Sequence, residues 1–267
     1  MLNAILVGII QGVVEWLPLS SEGMVNLFLA GDGVALIDNV NYSIFLHLGT
    51  MLAAIIYFRS DIWRLISDVL NRKTSDGVES ETRQESIRIT IFLIVATFLS
   101  GVIGYFVKDS LDEPNLSTFG VSLIIGLALI VTGGLQLARK GMDHGQRSEG
   151  HVNTIDSVIL GIGQAFTAIP GISRSGTTVA LLLFRNFDEK AALRLSFLMS
   201  IPLVAAADVL LLLEGSIALT SELLVALLAA FISGLLSISL LMKLVDRVNF
   251  GWAAIVIGVL VVLGGLV

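Results

Sequence analysis

The sequence predicts an all-α polytopic membrane protein with six transmembrane helices and two re-entrant broken-helix segments arranged as an inverted repeat. Three observations carry this expectation. Of the 267 residues, 55% are hydrophobic and only 14% charged, about half the charged share of soluble domains, and the mean hydropathy is +0.91. Apolar runs of membrane-spanning length recur along the chain and leave no room for a soluble domain. Two apolar segments, 1–30 and 156–187, are broken in the middle by polar and glycine-rich residues, and the two breaks share a pattern.

Hydropathy and polar punctuation place the six spans at roughly 40–58, 88–107, 117–138, 190–213, 221–243 and 249–267. The lack of cysteine excludes disulfides and thiolate metal sites. The first 20 residues show neither a basic leader nor a small-residue cleavage site, so no removable signal is expected. The net charge of -6 is too small an excess to point to a charged partner, and nothing in the sequence suggests nucleic acid.

Basic residues orient the spans. Arg59, Arg64, Arg72, Lys73, Arg83 and Arg88 crowd the connection after the first span, and Arg139, Lys140 and Arg147 follow the third. Arg185, Lys190 and Arg194 precede the fourth, and Lys243 and Arg247 follow the fifth. The opposite loops, 108–116 and 214–222, hold only Lys108. The positive-inside rule therefore makes the basic loops cytoplasmic and puts both termini outside.

At an offset of 153 residues, Gly8-Ile9-x-Gln11 matches Gly161-Ile162-x-Gln164, and Ser20-x-x-Gly23 matches Ser173-x-x-Gly176. Three spans separate the copies, and an odd number of crossings reverses the orientation of the second. The halves are then about 1–138 and 156–267, with their broken helices meeting near the midplane to line a site. Irregular backbone at that depth is tolerated only where protein or water satisfies it.

In the first break, QGVVEWLPLSSEG sets Gln11 and Glu15 on one helical face. Pro18 favours a helix end, and Ser20, Ser21 and Gly23 supply hydroxyls and flexible backbone. A carboxylate in an apolar helix is costly and reads as functional, against the plainer reading of an interhelical hydrogen-bond partner. In the second break, Pro170 and Gly171 end one half-helix and Ser173-Arg174-Ser175-Gly176-Thr177-Thr178 begins the next. Hydroxyls, free N–H groups, a helix N-terminus and a guanidinium make an anion site suited to phosphate, although the stretch has no P-loop signature. Pairing of Arg174 with Glu15 alone would not need so many hydroxyls. His47 is the sole histidine at membrane depth; its ordinary reading is a hydrogen-bond partner, with catalysis as the alternative. Asp208 is a further buried-acid candidate. His144, His151, Asp32 and Asp38 read as loop residues, and 74–87 as a mobile polar connection.

These residues carry a resemblance. The chain resembles the undecaprenyl pyrophosphate phosphatases, the bacitracin-resistance family, over essentially its full length. QGVVEWLPLSSEG looks like that family's first motif, an acid or glutamine four residues before an acid and then P-x-S-S-x-G. PGISRSGTT, residues 170–178, looks like its second, P-G-x-S-R-S-G-x-T.

The resemblance implies hydrolysis of a polyprenyl diphosphate to the monophosphate at a site opening to the extracytoplasmic side of the plasma membrane. That reaction recycles the lipid carrier for cell-envelope glycans. It carries over Glu15 as the essential acid, Ser21 as nucleophile or phosphate ligand, and Arg174 as phosphate clamp. Gln11, Ser20, Gly23, Gln164, Ser173, Ser175, Gly176 and Thr177 are carried over as substrate-binding. A divalent cation, Mg2+ or Ca2+, is implied as cofactor, with Glu15 and Glu22 as its candidate ligands. The expected partners are the lipid substrate and the bilayer, with a homodimer left open. Where the family commonly has a small polar residue and then a histidine around the glycine, this chain has Glu22-Gly23-Met24. A thioether cannot shuttle protons, so Glu22 and His47 become candidates for the missing role. The competing readings are an inverted-repeat transporter or flippase for an anionic lipid, and a noncatalytic lipid-phosphate binder.

Overall fold

The computed structural model describes residues 1–17, 20–30, 36–70, 78–109, 147–168, 172–215, 217 and 219–244, with individual positions within 123–138 and 252–263. The described chain is helical: α1 Leu2–Val14, α2 Ser21–Ala30, α3 Leu36–Tyr57, α4 Arg59–Leu70, α5 Val78–Asp109, α6 Thr154–Ala165, α7 Arg174–Phe184, α8 Glu189–Leu213 and α9 Ser221–Leu244. Short 3-10 turns occupy Glu149–His151 and Phe166–Ala168. Among the described residues there is no sheet, only an isolated backbone bridge between Arg147 and Phe187.

Among the described residues three stretches are long and apolar enough to cross a membrane: Glu81–Val107, Glu189–Leu213 and Ser221–Lys243. A fourth forms if Asn41–Tyr57 and Arg59–Leu70, bent by 72° at their junction, are one broken span. The predicted spans 117–138 and 249–267 lie largely outside the described residues. The single positions described within them are helical, and Gly126 there lies against Gly258 and Val262.

Three boundaries differ from the sequence expectation. α3 begins at Leu36, so Asp38 is helical rather than in a loop. The basic connection after the first span contains α4, whose Leu65 is buried while Trp63 and Leu70 face outward. The polar stretch 74–87 is helical from Val78 onward, with 74–77 outside the described residues. Arg83 Nε donates to the Asp68 carbonyl at 2.9 Å and Ser86 Oγ to Asp68 Oδ2 at 2.6 Å, tying this helical extension to α4.

Small residues let the helices approach closely, as packing in hydrocarbon requires. A Cβ on Gly8 or Gly12 of α1 would fall on the α9 backbone at Ala226 or Ala230. A Cβ on Gly161 of α6 would crowd Ala96 and Leu99 of α5. Serines reinforce both contacts: Ser233 Oγ donates to the Gly8 carbonyl at 3.4 Å and Ser100 Oγ to the Gly161 carbonyl at 3.0 Å. The opposite face of α9 exposes Leu224, Leu228, Ile232, Leu236 and Leu240, an apolar stripe suited to lipid.

Charged residues gather at one end of the bundle. α6 opens with a capping box in which Asn153 and Asp156 exchange backbone and side-chain hydrogen bonds of 3.0 Å. Asp156 also accepts from Arg147 at 3.2 Å and from Arg185 Nε at 2.7 Å. Burial alone would push its carboxyl up, but the hydrogen bonds from Arg147, Arg185 and Asn153 outweigh this and hold it below the ordinary aspartate range. Arg194 of α8 pairs with Asp61 of α4 and, at 2.8 Å, with Glu149, joining three elements.

Candidate active site

The two breaks form the same local structure. Ser20 Oγ accepts from the Gly23 N–H at 3.0 Å ahead of α2, and Ser173 Oγ accepts from the Gly176 N–H at 3.1 Å ahead of α7. The repeated S-x-x-G is thus a helix N-cap made twice. Its consequence for function is positional. Ser21 and Arg174 become the first residues of their helices, where N–H groups and the positive dipole end gather.

Both reach Glu15, which follows the end of α1 and is 5% exposed. Arg174 Nη2 donates to Glu15 Oε1. On the other oxygen, Ser21 Oγ donates to Oε2 at 2.7 Å, Gln11 Nε2 donates at 3.0 Å, and His47 Nε2 stands at 3.1 Å. His47 Nδ1 lies 2.9 and 3.0 Å from the carbonyls of Ser43 and Ile44, which only accept, so Nδ1 carries a hydrogen. Nε2 and Oε2 then need a proton between them to stay in contact, so the pair shares one.

Arg174 is held from behind. Arg174 Nη1 donates to the Ser196 carbonyl on α8 at 3.2 Å, and Thr178 Oγ1 donates to the Arg174 carbonyl at 2.8 Å and meets Ser196 Oγ at 2.6 Å. Ser175 Oγ donates to the Leu17 carbonyl at 2.7 Å, fastening the second break to the first. Trp16 Nε1 donates to the Gly234 carbonyl at 2.9 Å, and its ring stacks edge-on against Phe197 at 5.0 Å. Thr178 was one of the hydroxyls of the second break read from sequence, whereas Ser196 was not among the residues singled out there. The only signal for Ser196 was a small polar residue in an apolar span.

These groups open into a cavity of about 610 Å³. Glu15, Ser20, Ser21, Glu22, His47, Gln164, Arg174 and Ser175 supply its polar wall. Val102, Tyr105 and Phe106 of α5 and Leu203, Val204, Ala207, Leu210 and Leu211 of α8 supply most of an apolar one. Gln11, Gly23, Ser173, Gly176 and Thr177 do not line it. Gln11 orients Glu15, and the Gly23 and Gly176 N–H groups are spent on the capping serines, so they are not free for a phosphate. Gln164 Nε2 is bonded to Ser100 Oγ at 3.0 Å. Met24 is half-buried in α2, and it is His47 that meets the carboxylate.

Among the described residues no group of three His, Asp or Glu could hold a metal ion. Both Glu15 oxygens already face donors, one of them a guanidinium, so Glu15 does not fit as a direct ligand. Glu22 lines the cavity too, but the other carboxylate there, Glu15, is already taken up by those donors.

A family model described as bacitracin resistance protein BacA matches residues 4–260. A protein named undecaprenyl-diphosphatase from Methanococcoides burtonii is 42% identical over 267 residues, covering 98% of this chain and 97% of its own. Proteins of the same name from Haloarcula marismortui and Syntrophotalea carbinolica are each 37% identical. They cover 99% and 92% of this chain, and 97% and 90% of their own.

Proposed function

This chain belongs to the bacitracin resistance protein BacA family, and from that premise we propose that it hydrolyses undecaprenyl diphosphate to undecaprenyl monophosphate and inorganic phosphate within the membrane. The observation that carries the reading is the meeting of Ser21, His47 and Arg174 on the single carboxylate of Glu15 at the head of a largely apolar cavity.

The diphosphate enters against Arg174 and the two helix N-termini, which offset its charge, while the isoprenoid lies along the apolar wall of α5 and α8. Ser21 Oγ attacks the terminal phosphorus, giving its proton to the Glu15–His47 pair. An O–P bond forms, the bridging P–O bond breaks, and prenyl monophosphate leaves. Once the pair has passed that proton on, it takes a proton from water, whose oxygen bonds to phosphorus as the bond to Ser21 Oγ breaks, and returns the proton to Ser21. A Mg2+ or Ca2+ ion belongs to the reading as counter-ion of the diphosphate rather than as a cation caged by protein, and no step above depends on it.

The reading includes six spans and two re-entrant segments in inverted halves, with the basic end cytoplasmic. Two observations support it. The paired contacts of Gly8 with α9 and Gly161 with α5 relate the two halves. The ion pairs of Asp156 and Arg194 lie at the opposite end of α5 and α8 from the cavity residues Val102, Tyr105, Phe106, Leu203, Leu210 and Leu211.

Phosphate release from undecaprenyl diphosphate by the purified protein in detergent tests the reading. A transporter or a binding protein releases nothing there, because no second compartment exists. No release in the presence of added Mg2+ or Ca2+ would sink the proposal.

A further inference from the structure

Asp208 is buried in α8, 4% exposed, and neither of its carboxylate oxygens has a hydrogen-bond partner. Such a group needs an explanation, because an unpaired charge in an apolar wall is too costly to keep without a use. Its neighbours on the same face, Val204 and Leu211, line the active-site cavity. α3 and α8 run antiparallel, with Phe58 against Phe197 at 6.5 Å between ring centroids. Eleven residues on from Phe197 is Asp208, and eleven back from Phe58 is His47. One turn beyond His47 stands Ser43, fully buried, whose Oγ also has no partner. By this register the two orphaned polar groups lie at the level of the histidine of the Glu15 site and one turn beyond it, on the side away from the basic end.

The charged or titratable groups on elements packed against α8 are few. α3 brings His47, Tyr42 and Tyr57 and, near its start, Asp38, and α7 brings Arg174. α5 brings Tyr105 near the cavity, Lys108 and Asp109 at that same end of the helix and its other charged residues at the basic end, where the 3-10 turn brings Glu149 and His151. Of these, His47 is the one that the register from the Phe58–Phe197 contact sets at the level of Asp208.

We propose that Asp208 is the outlet for the proton released at the Glu15–His47 pair, a carboxyl that holds a proton in the resting site and exchanges it, by way of the Ser43 hydroxyl and water, with the extracytoplasmic side. This rests on the hydrolysis proposed above, whose balance supplies the proton. A diphosphate monoester trianion and water give a monophosphate dianion, a hydrogen phosphate dianion and one proton. A buried base that keeps that proton cannot serve the next turnover. Asp208 touches no reacting atom and acts through His47.

The test uses purified Asp208→Asn and Asp208→Glu protein in detergent with undecaprenyl diphosphate, read as kcat and KM across pH, with thermal midpoints measured in parallel. Asp208→Asn is expected to lower kcat by about tenfold or more with KM unchanged and to alter the pH profile. Its midpoint should be unchanged or higher, because an unpartnered carboxyl is removed, and Asp208→Glu should recover most of the rate. An unchanged pH profile and kcat in Asp208→Asn overturns the proposal. So does a loss that follows a fallen midpoint and is not recovered by Asp208→Glu, which marks a structural role. Independently of turnover, the infrared spectrum of the wild type should contain a carboxylic-acid C=O band that Asp208→Asn removes, and its absence overturns the proposal. If the wild type shows that band but releases no phosphate, the hydrolase reading fails and the proton outlet falls with it.

Discussion

Replacing Ser21 with alanine separates two roles the hydroxyl could have, because they differ in size. The Ser21 hydroxyl makes one hydrogen bond, 2.7 Å long, to the buried Glu15 carboxylate. A hydrogen bond to a charged group contributes about 1.5–3 kcal/mol. If Ser21 only oriented Glu15 for attack by water, its loss would cost about 10- to 150-fold, at about 1.4 kcal/mol per tenfold. If Ser21 is the nucleophile, the substitution also removes the step that general-base catalysis accelerates, itself about 10²–10⁴-fold. The combined loss is then on the order of 10⁴. Gln11, His47 and Arg174 still hold Glu15 in the variant, so the site keeps its shape and the comparison is fair. Phosphate release should be followed under single turnover with labelled substrate, and the wild type quenched early should retain label on Ser21. A Ser21→Ala variant with more than about one hundredth of the wild-type kcat, and no label trapped on the wild type, would refute nucleophilic attack by this serine.

Arg174→Lys should lose about 10²–10³-fold in kcat/KM, because one ammonium cannot reach both Glu15 and the Ser196 carbonyl as the guanidinium fork does; steady-state kinetics decide it. Trp16→Phe keeps the ring contact with Phe197 but loses the bond to the Gly234 carbonyl, which still accepts from Ser237; a destabilisation of about 1 kcal/mol is expected in chemical denaturation. Asp156 has its folded carboxyl held low, so its contribution is present above the ordinary aspartate pKa of about 4 and is lost as pH falls through the lower folded value. Asp156→Asn should therefore lower the thermal midpoint at neutral pH and flatten its fall below about pH 4.

Several features of the site were legible in the sequence because they are local. A serine cap pattern within an apolar run describes a helix start, and both starts are where the pattern sets them. Glu15 and Arg174 were visible because an ion in such a run must have a use. His47 was ambiguous: nothing in FLHLGT states that α3 turns its histidine toward a carboxylate at the end of α1, since that contact depends on how α1 and α3 both pack on α9. Ser196 was invisible for the same reason, because its carbonyl matters only through the crossing of α7 and α8. α4 was hidden by its own arginines, which mark a basic connection while Ile62, Leu65 and Ile66 supply an amphipathic period beneath them. The polar start of α5 was misjudged because its helix is anchored by Asp68 of another element.

The repeat explains why two chemically unlike residues meet on one acid. Ser21 and Arg174 are separated by the same 153 residues as the capping serines before them and the glycines after them, so each is the first helical residue behind a serine cap. Two helix N-termini so placed converge their dipoles on one cavity, and side chains at that position reach its centre. What the two halves do not share is the acid. The residue 153 positions after Glu15 is Ala168, and the second glutamine, Gln164, donates to Ser100 rather than to a carboxylate. In the proposed reaction one copy thus provides the base and the hydroxyl, and the other provides the cation that draws phosphate toward them. A symmetric pair of acids would place two negative charges beside a diphosphate and raise the barrier that Arg174 lowers. On this argument Ala168→Glu, which would restore symmetry on the cavity wall, should weaken substrate binding while leaving the Glu15 contacts intact. An unchanged KM in that variant would show that the asymmetry of the two copies is without electrostatic purpose.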